Sequence, residues 1–308
     1  MKFHARNPMT DKLLIGNSPQ IKSVLVLLEK YAMSDAEVLI QGETGSGKGI
    51  CARLIHQLSS RKHHPFIEVN CGAVPSGLIA SELFGHKRGA FTGALFNHAG
   101  FIKRAERGTL FLDEVSDMPP DLQVSLLHFL DQKKILSLGS DTETDVDSRI
   151  IAASHIDLIQ QVESGKFRED LYYRLNILPL NVPPLRDRDG DILQLANFFL
   201  TQIHASQTHK FSPQAEARLL GYHWPGNVRE LKNVLTRAVV LCEKNLISDE
   251  DLGLPEQNNR IPTCSLSKSI VENAIEKSHH NMSAVARQLN ISRTTLYRLM
   301  KKYQIPLY

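Results

Sequence analysis

Five short apolar runs punctuate the first 185 residues: Val38-Leu39-Ile40, Phe66-Ile67-Glu68-Val69, Thr109-Leu110-Phe111-Leu112, Ile150-Ile151-Ala152-Ala153 and Ile177-Leu178-Pro179-Leu180. Each is short and bounded by polar or turn-forming residues, which reads as a buried strand. Segments with apolar residues at helical spacing, such as 49–58 and 121–130, lie between them. Strands alternating with helices predict an α/β domain on a mostly parallel sheet with helices on both faces. Pro183-Pro184 ends this pattern, and from Asp191 to Leu252 the periodicity is helical with no strand predicted. The chain therefore reads as an α/β part over residues 12–185, a helical part over 186–253, a polar linker over 254–265 and an all-α module over 266–308.

Composition narrows the class. The chain has 308 residues, 42% hydrophobic and 22% charged, an ordinary globular balance with room for two or three cores. No apolar run approaches the ~20 residues that span a bilayer, so no membrane partner is expected. The first ten residues lack the apolar stretch of a signal peptide. Cys51, Cys71, Cys242 and Cys264 are scattered without metal-ligand spacing, which reads as free thiols in a reducing cytoplasm. The net charge of +3 hides an asymmetry: residues 261–308 carry seven Lys/Arg against two Glu. On charge alone that basic end is either a nucleic-acid surface or a solvated face.

Val38-Leu39-Ile40 leads into Gly42-Glu43-Thr44-Gly45-Ser46-Gly47-Lys48, with a helical pattern after it. This is a glycine-rich phosphate loop in its required context. Its glycines let backbone N–H groups turn around phosphates, and the helix N-terminus adds its positive dipole end. Lys48 is placed to reach the β- and γ-phosphates of ATP. Gly49 stands where most such loops carry a Ser or Thr that holds Mg2+, so the metal is expected to lean on Asp113 and water. Asp113-Glu114 closes an apolar strand, as a magnesium-associated Asp followed by a Glu that polarises the attacking water would. Between these two signatures lies Gly89-Ala90-Phe91-Thr92-Gly93-Ala94, an apolar, flexible loop tip with no acid–base or metal chemistry of its own.

Together these residues resemble the AAA+ ATPase domain of the bacterial enhancer-binding proteins, the activators of sigma-54 RNA polymerase. The resemblance covers about residues 12–253 and is carried most specifically by Gly89–Ala94 in the setting Glu82-Leu83-Phe84-Gly85-His86. It implies a P-loop AAA+ fold with an α-helical lid, and that Phe91 and Thr92 engage sigma-54. It implies further that Asn70 hydrogen-bonds the catalytic Glu, that Arg168 and Arg174 act as arginine fingers on a neighbouring subunit, and that Arg229, in Trp224-Pro225-Gly226-Asn227-Val228-Arg229, is the lid's sensor arginine. Fingers acting in trans imply self-association from dimer to hexameric ring. Two further positions depart from the family pattern: Ser154-His155 replaces Thr-Asn at the first sensor, and Ser137 stands where Arg is frequent. With Gly49 these make three changes around the nucleotide, which predicts slow turnover or reliance on a more active partner subunit.

Residues 283–299 fit a helix-turn-helix. Ala286 is small where two helices meet, Asn290 tolerates the left-handed turn, and Ser292 caps the second helix. Val285, Leu289, Ile291, Leu296 and Leu299 supply its core, and Ile270, Val271, Ala274 and Ile275 form a stripe on a preceding helix. The second helix presents Arg293, Thr294, Thr295, Tyr297 and Arg298 to the major groove of double-stranded DNA, with Lys301 and Lys302 nearer phosphates. The module resembles the Fis-type DNA-binding domain. The expected function is a sigma-54-dependent activator that binds an upstream site and remodels the polymerase closed complex with ATP. The alternative is a DNA-binding regulator whose ATPase is structural, acting as a repressor or passive ring partner. The ATPase pattern begins within about fifteen residues of Met1, so control is expected from a partner protein, expression level or assembly.

Overall fold

The computed structural model describes residues 14–203, 209–242 and 245–255, and in the C-terminal region residues 272–275, 278, 282, 285, 296, 300, 303 and 305. It divides into two compact units, Met1–Leu252 and Gly253–Tyr308. In the first, α1 (Pro19–Ala32) leads to β1 (Val38–Gln41) and α2 (Lys48–Leu58), then β2 (Phe66–Asn70), α3 (Ser76–Phe84), the short α4 (Phe101–Arg104) and β3 (Thr109–Asp113). Next come α5 (Pro120–Gln132), the hairpin strands β4 (Lys134–Leu136) and β5 (Glu143–Asp145), β6 (Arg149–Ser154), α6 (Leu158–Glu163), α7 (Glu169–Leu175) and β7 (Leu178–Asn181).

Five of these strands form one sheet in the order β2-β3-β6-β1-β7, every pair parallel. The inner strands β1, β3 and β6 are buried on both faces, as a parallel sheet requires, while the edge strands β2 and β7 expose Glu68, Pro179 and Asn181. Leu39, Leu110, Leu112, Ile150 and Ala152 pack into one core layer with α3, α5 and α7. The intervening Val38, Ile40, Phe111, Ile151 and Ala153 pack into the other with α1 and α2. That alternation is the period-two geometry of a strand. In α1, Ile21, Val24, Leu28 and Ala32 make the buried stripe, and Ser18 caps the helix through Ile21 N–H. The thiols of Cys51 and Cys71 are pushed up to about 12 by burial, so neither forms a reactive thiolate at neutral pH.

The helical part contains α8 (Asp191–Ile203), α9 (Pro213–Gly221), α10 (Asn227–Leu241) and the short α11 (Asp249–Leu252). It also contains β8 (Lys210–Phe211) and β9 (Leu246–Ile247), which pair in parallel, where the sequence predicted no strand. Two-residue strands carry no periodicity, and these stand directly before α9 and α11, whose packing on each other brings them together. The buried Trp224 donates its indole N–H to Leu219 O at 2.9 Å, fixing the turn between those helices. Asp191, fully buried at the start of α8, accepts from Asn17 N (2.6 Å), Ser18 N (2.9 Å) and Ser18 Oγ (2.7 Å). The segment before α1 is thereby fastened to the helical part.

In the second unit Ala274, Ile275, Val285, Leu296 and Met300 form a buried cluster with Met282, Tyr303 and Ile305 against it. Val285, Leu296, Ala274 and Ile275 are thus buried, in line with their sequence reading. Leu289, Ile291, Leu299, Ile270 and Val271, and the DNA-facing Arg293, Thr294, Thr295, Tyr297, Arg298, Lys301 and Lys302, lie outside the described residues. No helix among the described residues is long and apolar enough to cross a membrane.

Asp191→Ala strands the buried N–H and Oγ of Ser18 and the part-buried N–H of Asn17. It is expected to lower stability by about 3 kcal/mol and the unfolding midpoint by several degrees, with a smaller loss in Asp191→Asn, as read by scanning calorimetry.

Candidate functional site

All strands of the main sheet run in one direction, so their carboxyl ends share one edge, where ligands of open α/β sheets bind. The loop Gly42–Lys48 leaves β1 there, Asn70 ends β2, Asp113-Glu114 ends β3 and Ser154-His155 ends β6. The β2–β3 register sets Asn70 opposite Asp113.

The phosphate loop takes the left-handed backbone at Gly45 (φ 77°) and Gly47 (φ 108°) that only glycine adopts without strain. A Cβ on Gly47 would project into open space, so the inner side of the turn is a concavity at the N-terminus of α2. The first amides of that helix have no intrahelical acceptor. The buried Ser46 Oγ has no hydrogen-bond partner. Lys48 folds over the loop, donating Nζ to Gly42 O (2.8 Å) and Glu43 O (3.2 Å). Burial lowers its pKa, opposed by the charges of Asp113 and Glu114 and reinforced by Arg229. Burial likewise raises the Asp113 carboxyl, opposed first by Lys48. These mutual influences place Lys48, Asp113, Glu114 and Arg229 in one electrostatic neighbourhood within a single chain.

Asp113 Oδ1 accepts the Glu114 N–H at 3.0 Å. Glu114 holds φ 54°, a left-handed conformation rare for a residue with a side chain. Such backbone concentrates at functional sites. Asn70 Oδ1 caps its own turn, accepting from Gly72 N and Ala73 N, both at 2.9 Å. A Cβ on Gly72 would lie 2.7 Å from Asp117 Oδ2, 3.1 Å from Glu114 Oε2 and 3.5 Å from Asn70 Oδ1, so the glycine leaves room for all three side chains. One carboxylate beside a polyanion cradle suits Mg2+, which keeps several waters and leans on substrate phosphates. Among the described residues no cluster of three or more metal-ligating side chains is present. At Gly49 a Cβ would meet only Phe111 Cε1 (3.7 Å) and Glu68 Oε1 (3.8 Å), so a side chain would fit and its absence is not steric.

The other sequence candidates separate. Ser137 donates Oγ to Phe84 O at 3.0 Å, which places it at the base of the Gly89–Ala94 loop, not among the groups around the phosphate loop as the sequence reading had it. Ser154 Oγ is spent on Ile156 O (2.7 Å), and His155 is exposed beyond it. Arg168 is exposed and holds Asp170 in a two-pronged pair (3.0 and 2.7 Å). Arg174 is bound within the chain, to Asp131 (3.1 Å), Glu37 (3.3 Å) and Leu130 O (2.8 Å). Glu37, 5% exposed, is shared with Lys133 at 3.1 Å.

The loop after α3 is more ordered than a flexible tip. His86 and His98 exchange backbone hydrogen bonds (3.0 and 2.9 Å), and Lys87 N–H donates to Leu138 O in the β4–β5 turn (2.9 Å). Gly89 N–H closes the tip on Ala94 O (2.9 Å). Gly89 and Gly93 both take left-handed backbone. Phe91 is 40% exposed, its ring edge against His86 with centroids 5.0 Å apart. Leu95 and Phe96 extend the exposed apolar surface beside it.

Residues the sequence reading passed over bind the loop from its outer side. Arg186 pairs with Glu43 (2.8 and 2.6 Å), Asn227 donates to Glu43 Oε2 and Thr44 O (both 3.1 Å), and Arg188 donates to Ser46 O (2.6 Å). Hydrogen bonds from Arg186, then Asn227, hold the Glu43 carboxyl below the usual glutamate range against partial burial. Asn227 lies inside the Trp224–Arg229 motif, which was a signal, but the loop partners of all three residues lie far away in sequence.

Three families match consecutive stretches of the chain: "Sigma-54 interaction domain" over residues 14–181, "AAA+ ATPase lid domain" over 186–263 and "Bacterial regulatory protein, Fis family" over 265–303. The chain is 43% identical to the transcriptional regulatory protein GlrR of Escherichia coli (strain K12), over 97% of its own length and 70% of that protein's. It is 47% identical to the sigma54-dependent transcriptional regulator SfnR of Pseudomonas fluorescens (strain Pf0-1), over 78% of its length and 66% of that protein's. The crystal structure of NtrX from Brucella abortus in complex with ATP superposes with a TM-score of 0.73 at 30% identity, covering 95% of this chain and 69% of that one.

Arg174→Ala leaves Glu37 to Lys133 alone and is expected to cost the isolated chain about 1–2 kcal/mol of stability. Arg168→Ala is expected to leave the unfolding midpoint unchanged, and calorimetry of the two variants checks the difference.

Proposed function

The chain belongs to the sigma-54-dependent transcriptional regulators, with a P-loop AAA+ domain, a helical lid and a Fis-type helix-turn-helix, and from that premise we propose that it couples ATP hydrolysis to opening of a sigma-54 promoter complex. ATP binds with its phosphates in the Gly42–Lys48 loop and Lys48 on the β- and γ-phosphates. Asp113 holds Mg2+ through water, and the metal, when bound, neutralises charge on the phosphates. Glu114 orients the attacking water, and Asn70, opposite Asp113 on the neighbouring strand end, fixes where Glu114 points. Arg229 closes the lid over the nucleotide.

Self-association into a ring, dimer to hexamer, supplies arginine fingers to the neighbouring site. Arg168 is the stronger candidate, since among the described residues it pairs with the exposed Asp170 alone, whereas Arg174 is held by three groups of its own chain. The C-terminal module binds an upstream activating sequence in double-stranded DNA through Arg293, Thr294, Thr295, Tyr297, Arg298, Lys301 and Lys302. Phe91 and Thr92 contact sigma-54 of the polymerase holoenzyme. The protein acts in the bacterial cytoplasm. The observation that carries this reading is the loop itself: an exposed apolar tip on a hydrogen-bonded stalk, joined through α3 and the 70–75 turn to the strand end where Asn70 stands opposite Asp113.

The absence of a hydroxyl at Gly49 favours a second reading, a DNA-binding regulator whose ATPase is structural. Promoter opening separates the two. Thr92→Ala is expected to abolish open-complex formation on a sigma-54 promoter while ATP turnover and DNA retention stay within about twofold of the parent. Permanganate footprinting alongside phosphate release and gel retardation reads all three, and normal opening in this variant would remove the contact role of the loop.

A further inference from the structure

The phosphate loop is gripped from the side that faces away from its concavity. Between Gly42 and Gly47 each of the four residues is held by the helical part or the segment leading to it. Glu43 is held by Arg186 and Asn227, Thr44 O by Asn227, Gly45 O by Val228 N–H at 3.1 Å, and Ser46 O by Arg188. Asn227 is central. It is fully buried and opens α10 with φ 53°. Its Nδ2 donates to two acceptors while its Oδ1 accepts Leu185 N–H at 2.8 Å, so the partners fix the orientation of the amide.

We propose that Asn227 is a positioning residue through which the lid holds the phosphate loop in its anion-receiving form and thereby sets how tightly nucleotide is retained. A peptide unit is planar, with its carbonyl and the following N–H on opposite sides. Holding the carbonyls of Thr44 and Ser46 outward turns the N–H groups of Gly45 and Gly47 the other way, toward the open side of Gly47. Arg229 lies two residues further along the same helix start, and its Cβ would be 3.0 Å from a Cβ on Gly45. Docking of the lid, placement of Arg229 and preforming of the amide nest are therefore one event. A lid displaced by a neighbouring subunit would release the loop and the nucleotide together.

The proposal rests on the nucleotide reading above and is tested by binding alone, apart from transcription. Asn227→Asp keeps size and tolerance of the left-handed backbone but sets a carboxylate against Glu43 and Thr44 O. Asn227→Gly keeps the backbone and removes only the amide. With the full chain and a fluorescent ADP analogue in stopped flow, Asn227→Asp is expected to speed nucleotide release roughly tenfold to a hundredfold. The KM for ATP rises in proportion while kcat changes less than about threefold. Asn227→Gly falls between. Adding Glu43→Gln to Asn227→Asp, which restores a donor opposite the carboxylate, recovers most of the loss. Parental release in Asn227→Asp would overturn the proposal, as would a loss shared by kcat and KM that Glu43→Gln leaves unrepaired. A parent chain that binds no analogue would overturn the nucleotide reading with it.

Discussion

One strand register holds the rest of the site in place. Pairing of β2 with β3 sets Asn70 opposite Asp113 and continues past the strand end, where Cys71 N–H donates to Asp113 O at 2.9 Å. Beyond it, Asn70 Oδ1 caps the turn that delivers the chain to α3, and α3 ends at Phe84-Gly85, the root of the exposed loop. A movement of Glu114 or Asn70 therefore has a short covalent and hydrogen-bonded route to Phe91. The register itself is secured by burial on both faces: Leu110 and Leu112 point into one core layer and Phe111 into the other, so a one-residue slip would invert all three.

The same sheet explains why the chemistry collects at one edge. Parallel strands put every carboxyl end together, and the helical part reaches that edge through Leu185–Arg188 and the start of α10. The phosphate loop is thus bordered by the sheet on one side and the lid on the other. Its glycines are needed twice over, for the left-handed turns and for close approach. A Cβ on Gly45 would run into the Gly226 carbonyl. Electrostatics follows from this crowding. Burial disfavours the charged forms of Lys48 and Asp113, and each is restored in part by the other.

What was legible in the sequence was what is local. The five sheet strands were visible because the runs are nearly all apolar, and β1, β3 and β6 are buried on both faces. Gly42–Lys48, Asp113-Glu114 and Gly89–Ala94 were visible because each function lies within a few consecutive residues. The β4–β5 hairpin escaped because Glu143-Thr144-Asp145 is polar and half exposed, and β8–β9 because two residues carry no period. The set of contacts around Arg174 and the outer grip of Asn227 were illegible for a different reason. Their partners, Glu37 and Glu43, are 137 and 184 positions away and become neighbours only through the tertiary fold. Ser137 was misplaced on the same ground, since the hairpin carries it to Phe84 at the loop root.

The central claim is that the state of the phosphates reaches the exposed loop through Asn70 and α3. Hydrogen exchange of the assembled full chain, compared between ADP and a non-hydrolysable ATP analogue, tests it directly. Amides of residues 70–75 and 86–98 are expected to change protection together between the two states, along with those of the phosphate loop. Protection that changes at the phosphate loop while residues 86–98 exchange identically in both states would contradict it.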